Sequence, residues 1–357
     1  MRAVVLTDPA VPLEVQVVLP VRLGPGEVRI RLEASGVCHS DLTTSRRPTN
    51  GPAIMGHEGA GTVIEVGEGV SRVKVGQRVI ASYVPSCGQC FHCIRAEWTQ
   101  CESTTELMTA TRGTLGGAGV TAKGGLGTWA EEMTLAERQV VPVETDLPWE
   151  QLALVGCGVT TGAGAALWSA RVFAGSTVAV YGCGGVGLFT VQGARIAGAQ
   201  QIIAVDLLES KRKAAEAAGA THTIDPDAGD PVEQIRELTG GHGTDFAFEV
   251  VGNPKIMLQV YNSVRKGGTA VIVGMPAPDA VLQLPVGTMF HGERRLMGSF
   301  CGSHQSLRDM PTLVAYAEQG RLDIGSAVSR RISIDETQSA FEALERGEVL
   351  RSVIVPD

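Results

Sequence analysis

The stretch Ser176-Thr-Val-Ala-Val-Tyr-Gly-Cys-Gly-Gly-Val-Gly187 decides the fold of the second half of this chain. An apolar segment of strand length runs directly into a glycine-rich turn that opens a helix. The next apolar strand, Gln201-Ile-Ile-Ala-Val-Asp206, ends on an acidic residue. The glycine pattern alone is a weak signal, but this strand, turn, helix and acid in sequence are typical of a dinucleotide-binding turn.

Each part of this turn has a physical reason. The first glycine makes the tight turn, the second lets backbone approach a pyrophosphate, and the last lets the helix pack closely on the sheet. The helix N-terminus offers N–H groups to the phosphates. Asp206 is expected to bind ribose hydroxyls and repel a 2′-phosphate, which favours NAD over NADP. The predicted cofactor-binding residues of this region are Gly182, Gly184, Gly185, Val186, Gly187, Asp206 and Lys211. The alternative is a structural turn that binds no ligand.

Strands and helices alternate on either side of this turn. Further strands are predicted near residues 221–224, 245–251 and 269–273, and helices over 231–238 and 254–264. The first 150 or so residues instead contain short strands between glycines, at 26–33, 61–66, 76–81 and 128–133. The C-terminal region predicts helices over 307–318 and 337–345 and a last strand at 351–355. The sequence therefore predicts an α/β protein with a doubly wound parallel sheet and a smaller β-rich domain.

Composition excludes several classes of protein. The 357 residues suggest two domains, and 44% hydrophobic with 19% charged residues argues against disorder. The net charge of −8 argues against a nucleic-acid partner. The sequence shows no run of 18 apolar residues, so we expect no membrane-spanning helix, and the N-terminus lacks the layout of a signal peptide. A cytoplasmic protein is expected.

Four of the eight cysteines are clustered in sequence. Cys87, Cys90, Cys93 and Cys101 lie within fifteen residues. Four thiolates from one short loop favour a closed tetrahedral zinc site with a structural role. Free thiols or an iron–sulfur cluster are the alternatives.

A second set of metal-ligating residues is dispersed. It consists of Cys38-His-Ser-Asp41, Gly56-His-Glu-Gly59 and Gly156-Cys-Gly158. Each fragment alone is ambiguous, because a lone cysteine is usually a small hydrophobe. Together they offer two thiolates and an imidazole, the donor set of a catalytic zinc with an open position. Asp41 and Glu58 could orient these ligands.

With these motifs the sequence resembles the zinc-dependent medium-chain alcohol dehydrogenases over essentially its whole length. The signatures are 36–42, 56–61, 66–70, the four-cysteine lobe, and 182–187; the stretch 155–162 looks most like the longer-chain branch with class III-like and nicotinoprotein members. The resemblance implies a GroES-like catalytic domain over 1–159 and 304–357 and a Rossmann domain over 160–303. It also implies two zinc ions per subunit, one catalytic and one structural, and NAD.

The resemblance assigns roles to individual residues. It implies Cys38, His57 and Cys157 as catalytic zinc ligands, with Glu58 able to approach the metal. Ser40 would contact the substrate oxygen. Further expected contacts are His39 and Arg351 at the pyrophosphate, Thr161 at the nicotinamide, and Tyr83 and Met275 in the substrate pocket.

Two positions depart from the pattern of many relatives. Thr43 stands where a histidine often completes the proton relay, so the relay is expected to end at water or the cofactor ribose. Members that oxidise glutathione adducts carry an arginine shortly after the fourth lobe cysteine, whereas here the first arginine is Arg112. A glutathione adduct is therefore disfavoured, while another thiol adduct stays open.

The predicted function is an NAD-dependent zinc dehydrogenase acting on a primary alcohol or its aldehyde, with aromatic and allylic alcohols included in that class. The alternatives are a nicotinoprotein with tightly bound NAD, a thiol-adduct formaldehyde dehydrogenase, a reductase of a conjugated bond, and a non-enzymatic cofactor-binding protein. The loop 104–127 is expected to shape the pocket rim or a subunit contact, and Cys301 to lie in a core strand. A homodimer is expected, with a tetramer as the alternative.

Overall fold

The computed structural model describes residues 1–356. The strands are β1 Arg2–Leu6, β2 Glu14–Val17, β3 Leu19–Pro20, β4 Glu27–Val37, β5 Ala53–Ile54, β6 Glu58–Val66, β7 Arg78–Ala81, β8 Gly113–Leu115, β9 Ala118–Ala122, β10 Glu132–Ala136, β11 Val140–Pro142, β12 Thr177–Tyr181, β13 Gln201–Val205, β14 His222–Ile224, β15 Thr244–Glu249, β16 Val264–Ile272, β17 Arg295–Gly298, β18 Val328–Ile332 and β19 Arg351–Ile354. The helices are α1 His39–Ser45, α2 Thr104–Met108, α3 Trp149–Leu154, α4 Thr160–Gly164, α5 Gly185–Ile196, α6 Glu209–Ala218, α7 Pro231–Leu238, α8 Pro254–Ser263, α9 Val286–Gly292, α10 Ser306–Glu318 and α11 Thr337–Glu345.

These elements form two compact units. The first contains Met1–Gly158, Gln305–Gly320 and the C-terminal residues from Ile324 onward. The second contains Val159–His304 and Arg321–Asp323. The divisions fall after residues 158 and 304, whereas the sequence places them after 159 and 303.

The first unit contains two sheets, ordered β2-β1-β5-β9-β8-β3 and β11-β7-β6-β4-β19-β18, with β10 also paired to β4. Strand β4 alternates between buried and more exposed residues before it becomes fully buried, as expected of a strand that enters a core. The C-terminal strand β19 pairs antiparallel with β4, which brings the C-terminal strand into a sheet with strands from the first 150 residues. The GroES-like, β-rich unit is therefore present.

The second unit is a six-stranded sheet ordered β14-β13-β12-β15-β16-β17, with all pairs parallel. Its central strands are buried on both faces, because crossover helices cover a parallel sheet on both sides. The predicted α/β fold with a doubly wound parallel sheet is confirmed.

Three local expectations are wrong. Cys301 is buried in the core as expected, but it lies in a 3₁₀ turn and not in a strand, because Cys301, Gly302 and Ser303 have φ values of 50°, 67° and 52°, which no strand accommodates. The expected loop 104–127 contains α2, β8 and β9. The strand expected from Thr128 starts only at Glu132, because the Thr128 N–H donates to the Gly56 carbonyl outside the ladder.

One helical stretch is more apolar than the sequence analysis expects. Trp149–Ser169 is by length and composition apolar enough to cross a membrane. Within the protein, 78% of its most apolar window is buried, as in a core helix. Both α3 and α4 belong to this stretch, and each is followed by a π-helical turn, at 155–159 and 165–169.

Candidate metal centres and dinucleotide turn

The helix α1 fixes the first cysteine of the dispersed set. Cys38 directly follows β4, precedes α1 and has extended backbone angles, and its N–H donates to the Asp41 carboxylate at 3.1 Å. A carboxylate in the first turn also suits the positive end of a helix. This contact turns Asp41 inward, where it is buried.

Asp41 in turn orients His57. The His57 Nδ1 atom lies 2.8 Å from the Asp41 carboxylate, and both side chains are buried. An imidazole that donates from Nδ1 to a carboxylate keeps the lone pair of Nε2 for a metal. Gly56 precedes the histidine with φ +91°, and a Cβ there would lie 2.3 Å from the Trp129 ring. Only glycine therefore allows the chain to bring His57 into the cluster.

A π-helical turn presents the second thiol. Cys157 lies at the centre of residues 155–159, between two glycines. A Cβ at Gly158 would lie 2.8 Å from the Arg351 guanidinium, and one at Gly156 would lie 3.0 Å from the Ala81 carbonyl oxygen. π-turns are rare and often occur at functional sites. The glycines of this π-turn let the backbone beside the Cys157 thiol approach the Ala81 carbonyl and the Arg351 guanidinium closely.

The dispersed residues meet in one buried cluster. The ligand atoms of Cys38, His57, Glu58 and Cys157 all lie within 4.8 Å of one another, and all four side chains are buried. Neither carboxylate oxygen of Glu58 has a hydrogen-bond partner among the described residues, and the Arg351 guanidinium lies 3.6 Å away. Buried thiols, imidazole and an orphaned carboxylate in one place are the donor chemistry of a zinc site.

Electrostatics favour the metal-binding form of this cluster. The hydrogen bond with Cys157, followed by the charge of Arg351 and the contact with His57, lowers the pKa of Cys38 well below its ordinary value against the effect of burial. A thiolate is the form that binds metal. Burial raises the pKa of Glu58 to about 7, while the nearby Arg351 cation opposes that rise. The cluster therefore combines a cysteine, Cys38, that ionises easily to the metal-binding thiolate with a carboxyl group, that of Glu58, whose pKa of about 7 lets its charge change near neutral pH.

The second cluster also has the geometry of a metal site. The Sγ atoms of Cys87, Cys90, Cys93 and Cys101 lie within 4.8 Å of one another. The Cys87 and Cys93 sulfurs are 3.9 Å apart, close to the separation of about 3.8 Å that tetrahedral bonds of about 2.3 Å to zinc require. The Cys90 N–H points at the Cys87 sulfur at 3.4 Å. His92 instead contacts Glu97 at 2.7 Å on the surface and is no part of this cluster.

The glycines of the dinucleotide turn in the second unit differ in the space that surrounds them. Gly182 has φ +92°, and a Cβ at Gly187 would lie only 1.8 Å from the Gly182 carbonyl oxygen. A Cβ at Gly184 would meet nothing within 4 Å, which leaves its outer face open to a ligand. Asp206 is held by two backbone donors, the Cys183 N–H at 2.7 Å and the Leu208 N–H at 2.9 Å. The carboxylate is thus fixed at the end of β13 beside the turn.

The remaining predicted residues lie in both units. Tyr83 stands edge-on to His57, with ring centroids 5.3 Å apart. His39 is exposed and Ser40 half-buried in the first turn of α1. The Thr43 hydroxyl donates to the His39 carbonyl at 3.0 Å, so its hydrogen bond stays within α1. Thr161 in α4 and the exposed Met275 belong to the second unit.

Glu249 and Arg112 are among the buried charged residues that sequence reasoning missed. Glu249 ends β15 fully buried and accepts from the N–H groups of Val251, Gly252 and Asn253, which shapes the loop beside the dinucleotide turn. Arg112 is buried among backbone carbonyls of the first unit. A strand-terminal acid before Val-Val-Gly was a readable signal for the first, whereas nothing local marks Arg112 as buried.

Comparison with known proteins agrees with this geometry. The alcohol dehydrogenase GroES-like domain family matches residues 24–145, and the zinc-binding dehydrogenase family matches residues 185–317. A class-3 alcohol dehydrogenase of Cereibacter sphaeroides is 34% identical, with 99% of each chain covered. The chain belongs to the zinc-dependent alcohol dehydrogenase family. It is accordingly an oxidoreductase whose relatives act on small-molecule alcohols, and its two clusters fit the zinc sites of that family.

Two further members are informative. An NDMA-dependent alcohol dehydrogenase of Amycolatopsis methanolica is 36% identical, with 92% of each chain covered. The crystal structure of a benzyl alcohol dehydrogenase from Acinetobacter calcoaceticus superposes with a TM-score of 0.94 at 30% identity, over 100% of this chain and 99% of the other. The fold of this zinc dehydrogenase is thus shared over its full length.

Proposed function

We propose that this zinc dehydrogenase transfers a hydride between a primary alcohol, or its aldehyde, and NAD. The observation that carries the proposal is the buried set of Cys38, His57 and Cys157, because two thiolates and one imidazole are a donor set of catalytic zinc sites. When bound, zinc supplies a Lewis acid that stabilises negative charge on the substrate oxygen, and NAD exchanges the hydride. The protein supplies orientation, exclusion of water and the path of the proton.

Ser40 is proposed to take the proton of the substrate hydroxyl. It lies two residues after Cys38, in the first turn of α1, and is partly accessible. Thr43 is a poor next carrier, because its hydroxyl already donates to the His39 carbonyl. Water or the cofactor ribose is then the proton acceptor after Ser40. Asp41 keeps the His57 ring in place throughout.

NAD is proposed as the cofactor because of Asp206. Its carboxylate is fixed by two backbone N–H groups and would repel a 2′-phosphate. The glycine turn with Gly185 and Val186, together with Lys211, Thr161, His39 and Arg351, forms the proposed cofactor-binding set. Arg351 is buried beside Glu58 at 3.6 Å, so its charge also reaches the metal cluster.

An aromatic or allylic primary alcohol is the proposed substrate class. The Tyr83 ring beside His57 provides an apolar wall at the metal cluster. The likeness to a benzyl alcohol dehydrogenase supports this choice. A glutathione adduct is disfavoured because Arg112, the first arginine after Cys101, is buried and donates to protein carbonyls. The alternative of a nicotinoprotein, which retains NAD between turnovers, is supported by the 36% identity to an NDMA-dependent relative.

The test is one set of measurements on purified enzyme. Zinc is counted by elemental analysis, and absorbance is followed as an alcohol panel is added with and without NAD⁺. Two zinc ions per subunit and NADH formation that requires added NAD⁺ support the proposal. A single stoichiometric burst without added NAD⁺ indicates the nicotinoprotein. Only one zinc and no turnover would contradict both. Light scattering on the same sample tests the expected homodimer.

A matched pair of variants tests the proton path. Ser40→Ala is expected to lower kcat by about a hundredfold or more while both zinc ions remain, because it removes only the proton carrier. Ser45→Ala is the control, since Ser45 lies on the same helix and merely donates to the Leu42 carbonyl. Equal activity of the two variants would remove Ser40 from the mechanism.

A further inference from the structure

Arg112 is a buried cation whose hydrogen-bond acceptors are all uncharged. The side chain is only 5% exposed. Its guanidinium donates to the carbonyls of Thr134 at 2.9 Å, Leu107 at 2.9 Å and Gly125 at 2.7 Å, and to the Gln139 amide oxygen at 3.4 Å. One side chain therefore joins three segments of the first unit, namely α2, the turn at 123–125 and the stretch 134–139.

Such an arrangement is costly. Burying a charge that no carboxylate hydrogen-bonds opposes folding, and burial lowers the pKa of Arg112 to about 10, an effect that the charge of Glu27 only partly offsets. The side chain remains charged at neutral pH. A planar fork with five N–H donors suits several carbonyls at once in a way that an ammonium group does not. What the buried Arg112 side chain contributes to the protein therefore depends on the segments that carry these carbonyls.

The Gly125 carbonyl belongs to the turn Lys123–Gly125, which packs against the metal cluster. A Cβ at Gly124 would lie 3.2 Å from the Cβ of His57, so any side chain larger than that of glycine would crowd His57 and the backbone of this turn runs close beside it. A Cβ at Gly125 would lie 3.0 Å from the Met108 Cα at the end of α2. The turn is therefore tightly held between His57 and α2.

The Leu107 carbonyl belongs to α2, which begins three residues after Cys101 of the four-cysteine cluster. Ser103, in the connection between them, contacts the Cys101 sulfur at 3.1 Å. The Arg112 guanidinium thus holds two segments. One is α2, which follows the four-cysteine cluster, and the other is the Lys123–Gly125 turn, which lies next to His57 of the dispersed cluster.

We propose that Arg112 is a positioning residue for the metal ligand His57. Its guanidinium holds the Lys123–Gly125 turn in place next to the His57 side chain. The same group also holds α2, which follows the four-cysteine cluster, through the Leu107 carbonyl. Asp41 holds His57 through Nδ1, and the Gly124 backbone runs close beside its Cβ, where an added Cβ would lie only 3.2 Å away. This inference rests on the catalytic zinc site of the proposed function.

The test compares Arg112→Met with Arg78→Met. Arg78 is a matched control because its guanidinium also donates to a backbone carbonyl of the first unit, that of Leu147 at 2.5 Å. The readouts are zinc content, the rate of zinc release to a chelator, and the visible bands of the cobalt-substituted protein, which report ligand geometry. Arg112→Met is expected to release one zinc per subunit about tenfold faster and to shift the bands of the histidine-containing site. Arg78→Met is expected to behave as wild type.

A second substitution covers the case in which Arg112→Met does not fold. Gly124→Ala acts on the other end of the connection, since its Cβ would press on His57 at a φ of +73°. It is expected to disturb the same cobalt bands. Unchanged release rates and bands in folded Arg112→Met, or unchanged bands in Gly124→Ala, overturn the proposal. If wild type itself binds a single zinc, the proposed function fails and the failure is visible before any variant is made.

Discussion

Replacing Gly187 by alanine gives the sharpest test of the dinucleotide turn. The added Cβ would lie 1.8 Å from the Gly182 carbonyl oxygen, and both atoms belong to backbone or are fixed to it. An ordinary contact of about 3.5 Å requires α5 to move by about 1.7 Å from the turn. Overpacking typically costs about 1–3 kcal/mol, and the upper end applies here because no side chain can yield.

Gly184→Ala is the matched control in the same turn. A Cβ there would meet nothing within 4 Å, and the backbone angles of −71° and −172° suit alanine. The folded protein is therefore expected to be as stable as wild type or slightly more so, by about 0.5 kcal/mol, because alanine restricts the unfolded chain. Cofactor affinity should nevertheless fall, since the methyl group occupies the face that the pyrophosphate approaches.

The assay separates stability from binding. Thermal unfolding of Gly187→Ala is expected at roughly 10 °C below wild type, as about 3 kcal/mol predicts for a unit of this size. NADH fluorescence titration is expected to show weakened binding in both variants, with a loss of stability only in Gly187→Ala. A Gly187→Ala protein with wild-type melting would refute the packing argument. A Gly184→Ala protein with wild-type NADH affinity would refute the assignment of its open face to the cofactor.

Three further substitutions test the metal clusters and the second unit. Asp41→Asn is expected to weaken zinc binding at His57 about 10- to 100-fold, measured by chelator competition, because the imidazole loses its carboxylate acceptor. Cys93→Ser is expected to lower the zinc content from two ions to one and to lower the Tm, because a structural zinc contributes folding energy. Asp245→Asn is expected to cost about 1 kcal/mol at neutral pH. Although burial raises the pKa of Asp245, hydrogen bonds from Thr177 and Arg265 hold it below its ordinary value, so this cost should vanish as the pH falls below about 4.

Each of these has a control in the same chain. Asp309→Asn removes a buried carboxylate of the first unit outside both clusters, and zinc affinity should not change. Cys183→Ser replaces a buried cysteine outside both clusters and should leave two zinc ions. Asp279→Asn alters an exposed carboxylate, and its effect on denaturant stability should not depend on pH. A variant that behaves like its control contradicts the corresponding prediction.

Much of the second unit could be predicted because its signals are local. A buried strand, a glycine turn and a helix occupy consecutive residues, and the predicted helix Pro231–Leu238 agrees with α7 to the residue. The departures occur where tertiary contacts override local pattern. The left-handed turn at Cys301 is one such case, because Gly302 lies against the Thr160 carbonyl and no strand could make that approach.

The candidate site divides in the same way. The sequence by itself determined the four-cysteine cluster, because its ligands are close in the chain and the loop has few ways to arrange them. It also determined the ligand types of the dispersed set, although only through the combination of three ambiguous fragments.

Only the tertiary structure decided how the dispersed ligands meet. Cys38, His57 and Cys157 are far apart in the chain and converge because β4, β6 and a π-helical turn pack together, and a π-turn has no reliable sequence signature. The same holds for Arg112, whose role depends on three backbone carbonyls from separate segments. Contacts between residues close in the chain, as in the four-cysteine loop, follow from the order of the residues. The partners of a buried charge come from distant segments, so they are defined only when the whole unit has folded.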